Sequence, residues 1–323
     1  MSSSHESNSE HFECKGPGRH CNVSLFGLSA FNNYLGSIQD EIRGKGFMAQ
    51  YSERRIREVE GKDTAEAKKQ LEGVQCELGQ AKKAVEKLEP FYQEVSTRWA
   101  APESRVIGHV VLSPPINPGV GGSGEGYTED WAVVEIDASK IGADNFDGNA
   151  IDLGHRSCPG KFHQMMNPNP QDPPSFEYPF DCLLRLQGTI SDDEMRHPIA
   201  FDQNGEPCVM VIKRGNATGL TVGRANDYLS YTRIYDNDGE AKTSKEWAIL
   251  PFDSKSGAFS ANGDSGSVIV GGRGHIGSLL TSGAGTSVSS KTDITYATPI
   301  TFLLKRMEEA GLQKPNINPA LTV

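Results

Sequence analysis

The chain has 323 residues, enough to bury one large core or two smaller ones. Its 32 Lys and Arg against 42 Asp and Glu leave a formal charge of −10, which argues against non-specific binding to nucleic acid. Hydrophobic residues at 36%, with 35 Gly and 18 Pro, suit a loop-rich β protein better than a helical bundle.

Residues 1–30 open on a polar Ser/His/Glu stretch and read as a disordered tail. It contains no apolar core of the signal-peptide kind, and no run of about 18 apolar residues follows anywhere, so the expectation is an intracellular protein, cytoplasmic or nuclear, with no membrane contact. Cys14, Cys21, Cys76, Cys158, Cys182 and Cys208 lack a disulfide-framework spacing and are expected to be buried free thiols. His11, Cys14, His20 and Cys21 lie close together, as do His155, Cys158 and His163. Neither group has zinc-ligand spacing, so no metal and no cofactor is expected. Asn216-Ala217-Thr218 is a glycosylation sequon that should be silent without a secretory route.

Residues 31–100 change character to helix. Leu35, Ile38, Ile42, Ile56 and Val59 mark a first helix, with an interruption expected at Gly44-Lys45-Gly46. Glu53-Arg54-Arg55-Ile56-Arg57 is its solvated face. Glu60-Gly61-Lys62 reads as a turn and Asp63-Thr64-Ala65-Glu66 as a capping box. The second helix carries Leu71, Val74, Leu78, Ala81, Val85, Leu88, Tyr92, Val95 and Trp99 in alternating steps of three and four, a heptad stripe. Pro90 should kink or split it. An antiparallel hairpin packed on its own stripe follows; a coiled coil that binds a protein partner is the functional alternative.

Residues 101–140 hold a strand at 105–113, a Gly-rich loop at 118–126, and an apolar strand that opens at Asp130. Taken alone, Asp130 is an ordinary strand-capping residue. Residues 141–182 are rich in Pro, Asn and Asp and read as a connector between two β units. Residues 183–311 bring short strands at 183–188, 208–213, 219–223, 228–235 and 246–250. The Gly-rich turn Asn262-Gly263-Asp264-Ser265-Gly266 then lies ahead of the apolar run Ser267-Val268-Ile269-Val270. A last strand at 293–300 and a helix at 301–310 stopped by Gly311 complete the region, with 312–323 as a tail.

The Gly-Asp-Ser-Gly turn between two strands resembles the nucleophile loop of chymotrypsin-like serine peptidases. Lys213-Arg214-Gly215-Asn216-Ala217-Thr218-Gly219-Leu220-Thr221-Val222-Gly223 is similar to a strand pair in the second barrel of bacterial and fungal trypsin-like members of that family. Glu129-Asp130-Trp131-Ala132-Val133-Val134 resembles the segment that carries their triad aspartate, and Thr281-Ser282-Gly283 the edge that pairs with substrate backbone. The likeness covers about residues 105–310 and is to the fungal intracellular type.

It implies a mainly β fold, a chymotrypsin-like double β-barrel carrying an N-terminal helical hairpin. It implies Ser265 as nucleophile, Asp130 as the carboxylate that orients a histidine, and the N–H groups of Gly263 and Ser265 as oxyanion hole. Ser282, Gly283 and Phe259 would contact substrate. Phe259 stands six residues before Ser265, where relatives selective for charged side chains place a carboxylate, so the implied preference is apolar or aromatic. Ser267 replaces the usual glycine, as in glutamate-specific relatives.

The triad histidine should precede Asp130, where only His5, His11, His20 and His109 stand. Gly18-Arg19-His20-Cys21 echoes the family's A-x-H-C signature, but only a polar tail precedes it, and His109 falls mid-strand. One strand before Asp130 is too few for a closed barrel, so the second barrel is expected complete and the first partial. Two functions stand side by side: a trypsin-like serine endopeptidase homologue acting on peptide or protein, and a non-catalytic scaffold that binds a partner through residues 31–100.

Overall fold

The computed structural model describes residues 12–13, 21–62, 64–120, 126–142, 148–154, 158–235, 239, 241–284 and 293–317. His5, His11, Cys14, His20, Asp63 and His155 lie outside them. The chain divides into two units, one of residues 18–110 with 134–140 and one of 1–17, 111–133 and 141–323. The division falls within β-strand residues at 110/111 and 133/134, and between 140 and 141.

The first unit is the helical hairpin with short strands at its base. Helix α1 (Leu28–Val59) and helix α2 (Ala65–Arg98) run antiparallel. Phe31, Ile38 and Ser52 of α1 and Ala67, Val74, Ala81 and Val95 of α2 are buried between them, the seam that the heptad stripe foretells. Thr64 caps α2, its hydroxyl accepting from the Ala67 amide at 3.2 Å.

The expected interruption at Gly44-Lys45-Gly46 does not occur, and α2 runs as one helix through Pro90 rather than being split there. Each glycine costs about 1 kcal/mol and the proline about 3. The seam supplies enough packing over 32 and 34 residues to carry both helices through.

Cross-helix contacts fix the register, with Lys82–Glu53 at 2.7 Å, Arg55–Glu77 at 3.4 Å and Gln39 donating to the Tyr92 hydroxyl at 2.6 Å. Buried Arg105 closes the base. Its guanidinium lies 4.2 Å from the Phe31 ring centroid and donates to the carbonyls of Trp99 and Ala100 at 2.6 and 2.9 Å, orphan acceptors near the α2 C-terminus. Strand β2 (Asn22–Ser24) pairs antiparallel with β3 (Val106–Ser113), and β6 (Val133–Ile136) also pairs with β3.

In the second unit, β10 (Pro207–Gly215), β11 (Gly219–Tyr235), β12 (Ala241–Pro251), β13 (Val268–Gly271), β14 (Ile276–Ala284) and β15 (Ile294–Pro299) each pair antiparallel with two of the others, and β10 also pairs at its start with the short β9 (Ala200–Phe201). The order β10-β11-β12-β15-β14-β13 returns to β10, so the six strands close into a ring with no free edge along their paired lengths. The expected strands at 219–223 and 228–235 are one strand, bent by a register shift between Ala225 and Leu229.

Alternation along β10 shows how the ring is filled. Val211 packs with Ala225, Trp247, Ile249, Ile269, Leu280 and Ala297 in one core. Cys208, Met210 and Ile212 point the other way into a second core. That second core is covered by Leu153, Phe162, Met166, Phe176 and Leu184, together with Ile300 and Leu303 of the closing helix α5 (Ile300–Glu309).

The Pro/Asn-rich connector is therefore a packed layer. It contains β7 (Ala150–Asp152), helix α3 (Pro159–Met166) and β8 (Leu183–Arg185), with Phe162, Phe176 and Tyr178 rings 5.3–6.1 Å apart. Strands β4 (Asn117–Val120) and β5 (Tyr127–Glu129) form a separate hairpin beside β12, where the Lys245 amide donates to the Gly126 carbonyl at 2.8 Å.

Helix takes 36% of the residues and strand 32%, so the fold is mixed α and β rather than mainly β. Gly and Pro content, averaged over the chain, hides two long helices that are nearly free of proline. Among the described residues no helix is long and apolar enough to cross a membrane. The described cysteines are free thiols; Cys182 and Cys208 are buried as expected, whereas Cys21, Cys76 and Cys158 are exposed.

Candidate functional site

The loop between β12 and β13 is built around the buried side chain of Asp264. Its Oδ1 accepts from the amides of Ala217 and Thr218 at 2.7 and 3.3 Å. Its Oδ2 accepts from the Thr218 hydroxyl at 2.6 Å and the Ala261 amide at 3.1 Å, and lies 3.2 Å from the Lys213 ammonium. Both charged side chains are 0% exposed.

Burial opposes the charge on Asp264, yet the Thr218, Ala217, Ala261 and Lys213 donors outweigh it and hold the carboxyl at about 2. Burial likewise lowers the Lys213 pKa, against the pull of Asp264. Lys213 also donates to the Thr218 hydroxyl at 2.5 Å and sits 5.5 Å from the Phe259 ring centroid. The close approach needs Gly215, where a Cβ would stand 2.2 Å from Asp264 Oδ1.

This anchor sets the residues on either side. Gly263 adopts φ +101° and Gly266 φ +81°. The Gly266 amide donates to the Leu280 carbonyl at 2.8 Å and the Leu280 amide to the Ser267 carbonyl at 3.0 Å, which staples the loop to β14. The Asp264 and Ser267 amides are also engaged, each at 3.0 Å, within the turn.

The amides of Gly263 and Ser265 have no hydrogen-bond partner among the described residues, and Gly263 and Ser265 are exposed. Acyl transfer needs an accessible nucleophile and amides open to an oxyanion, and Ser265 is exposed next to two unengaged amides.

Ser282 and Gly283 are exposed near the end of β14, paired on one side with Tyr296 and Thr295 of β15. Pairing with β13 stops at Leu279, so among the described strands the other edge of Ser282 and Gly283 is unpaired. Just before them, the Thr281 hydroxyl contacts that of Thr298 at 2.8 Å, and Thr298 contacts Glu246 Oε2 at 3.2 Å. Glu246 is buried, which raises its pKa, and it also accepts from the Thr128 amide at 3.2 Å.

Phe259 does not border the surface. It is 1% exposed within the barrel core, its carbonyl accepting from the Thr221 hydroxyl at 2.8 Å and its amide donating to Asp293 at 2.7 Å. The expectation that its side chain lines a substrate pocket is corrected accordingly: counting back from Ser265 gives the position along the loop, and ring packing turns that side chain inward.

The turn that follows β5 is assembled differently. Glu129 is buried, accepts from the Trp131 indole at 3.1 Å, and takes two hydrogen bonds from the Arg306 guanidinium at 2.9 and 3.1 Å. Asp130 is exposed and its carboxylate has no partner among the described residues; surrounding protein raises its pKa by desolvation. Among the described residues, Asp130 has no hydrogen bond or ion pair to Ser265 or to a histidine.

The described histidines stand elsewhere. His109 faces Glu135 at 3.8 Å, His163 lies against Asn167, His197 pairs with Asp193 at 3.0 Å, and His275 lies beside Gly188. No group of three or more metal-ligating side chains occurs among the described residues.

Sequence reasoning passed over Lys213 and Thr218 as functional residues. The signal lies in the Lys-x-Gly-x-x-Thr-Gly spacing, whose resemblance points only to a strand pair. No family model matches this chain, and no curated protein matches it in sequence.

Proposed function

We propose that the chain carries a serine acyl-transfer site of the chymotrypsin type, acting on peptide bonds of peptide or protein substrates. The β10–β15 ring stands as the second barrel of a double-barrel fold, and β3–β6 as what the described residues hold of the first. Ser265 Oγ adds to the substrate carbonyl carbon as its proton passes to water, and the Gly263 and Ser265 amides receive the oxyanion. Collapse of the adduct breaks the C–N bond and expels the amine, which takes up a proton, and water then releases the acyl group. A substrate strand adds to the free edge at Ser282 and Gly283. The observation that carries this reading is the exposed Ser265 beside two unengaged amides, held by the buried Lys213–Asp264 pair.

A p-nitrophenyl ester of a short peptide tests it by pre-steady-state kinetics. A burst of one p-nitrophenol per chain, abolished by Ser265→Ala, is the expected result; no burst from folded protein overturns the reading.

A second reading is a non-catalytic scaffold. It is favoured by Asp130 lacking a partner and by the described histidines being placed elsewhere. The same experiment separates the two, and a burst makes His20→Ala the next variant. Free thiols and the absence of a spanning helix among the described residues suit a reducing compartment, which the proposal adopts.

A further inference from the structure

The outer face of α1 repeats a heptad that its hairpin does not use. Asp40, Gly44, Phe47, Tyr51, Arg54 and Glu58 follow one another in steps of four and three and are all exposed. Phe47 is 63% exposed and Tyr51 46%, with Met48 beside them at 45%. Nine residues separate Phe47 from the buried Ile38, about two and a half turns, so the two point in opposite directions. A single exposed apolar side chain is ordinary; three large ones at i, i+1 and i+4 in the middle of a 32-residue helix form a patch.

The charges around the patch identify its occupant. On the face itself Asp40 lies on the N-terminal side of the patch and Arg54 on its C-terminal side, followed by Glu58, whereas Glu41 pairs with Lys45 and Arg55 with Glu77 of α2. A second copy of α1 laid antiparallel, with its twofold axis at Phe47, sets Asp40 of each chain against Arg54 of the other. It also brings the bulky Tyr51 within one residue of the level of Gly44, where nothing lies within 4 Å of a Cβ. The contacts are thereby reciprocal, as a twofold interface demands. Arg54 has no ion-pair partner among the described residues, and Asp40 holds only its own-turn neighbour Arg43 at the surface.

We infer that this chain self-associates into a twofold dimer through the outer face of α1. The inference is independent of Ser265. Six large apolar side chains from two copies would cover on the order of 500 Å². That is less than the roughly 1,000 Å² of a stable interface, so the dimer is weak and transient, dependent on concentration and, through its charged rim, on salt.

Sedimentation equilibrium of the full chain, from about 1 μM to about 300 μM, tests this range of affinity. The wild type should pass from monomer to dimer, and Phe47→Glu with Tyr51→Glu should remain monomeric with unchanged helical circular dichroism. Asp40→Arg and Arg54→Asp should each weaken the homodimer at least tenfold. An equimolar mixture of the two should recover it, because each unlike contact then pairs opposite charges. A wild type that stays monomeric throughout, or a dimer indifferent to the two glutamates, overturns the inference. A mixture no tighter than its parents overturns the antiparallel register.

Discussion

Asp264, under the serine loop, and Asp130, which the proposal would need as the carboxylate that orients a histidine, are treated by the protein in opposite ways. Asp264 is buried among three backbone amides, a threonine hydroxyl and a lysine ammonium, and its pKa falls to about 2. Asp130 is exposed, has no partner among the described residues, and its pKa rises. A carboxylate that orients a histidine must stay ionised and hold a hydrogen bond, and only Asp264 lives in surroundings that enforce ionisation. The difference teaches that the half of the site contained in the closed ring is preorganised by that ring. The half that depends on Asp130 is not assembled by the described residues.

The strongest way to break this contrast is to remove the cation beneath the serine loop. Lys213→Met leaves Asp264 charged and buried without its counter-ion, and should cost about 3–5 kcal/mol in urea or thermal unfolding. Gly263→Ala comes next. Nothing approaches within 3.7 Å of a Cβ there, so the cost arises from the φ of +101° alone and should be about 1–3 kcal/mol. Any Ser265 acylation should fall with it.

The Asp264 carboxyl gives a smaller effect with a definite sign. Its folded pKa of about 2 lies below the ordinary 3.8, so its contribution is fully present above the unfolded value and is lost as pH falls through the folded one. Roughly 2 kcal/mol should disappear between about pH 5 and pH 1. Asp264→Asn should flatten that part of the acid unfolding profile. Asp130→Asn sharpens the comparison from the other side, with an expected stability change within about 0.5 kcal/mol.

Much of the ring could be read from the chain because its strands obey short-range rules. Val209 and Val211 alternate with Cys208, Met210 and Ile212 along β10, and Gly and Asn mark the turns on either side. The α2 stripe was legible for the same reason, since a heptad is local. Pro90 and Gly44 misled because their costs are local, whereas the packing that overrides them is shared along both helices.

Phe259 and Lys213 misled for another reason. Motif spacing fixes where a residue lies along the chain but not which way its side chain turns. The inward face of β10 puts Lys213 under the serine loop, and the bend before Asp264 puts Phe259 over Lys213. The 141–182 segment hid its role because its apolar residues, among them Leu153, Phe162 and Phe176, are scattered between prolines without a period.

Fluorophosphonate labelling of the purified full chain, read by intact mass and peptide mapping, tests the central claim most directly. The account predicts one adduct per chain, on Ser265, absent from Ser265→Ala and slowed in Lys213→Met under conditions where that variant is still folded. A folded wild-type protein that takes no adduct, or takes it on another residue, would contradict it.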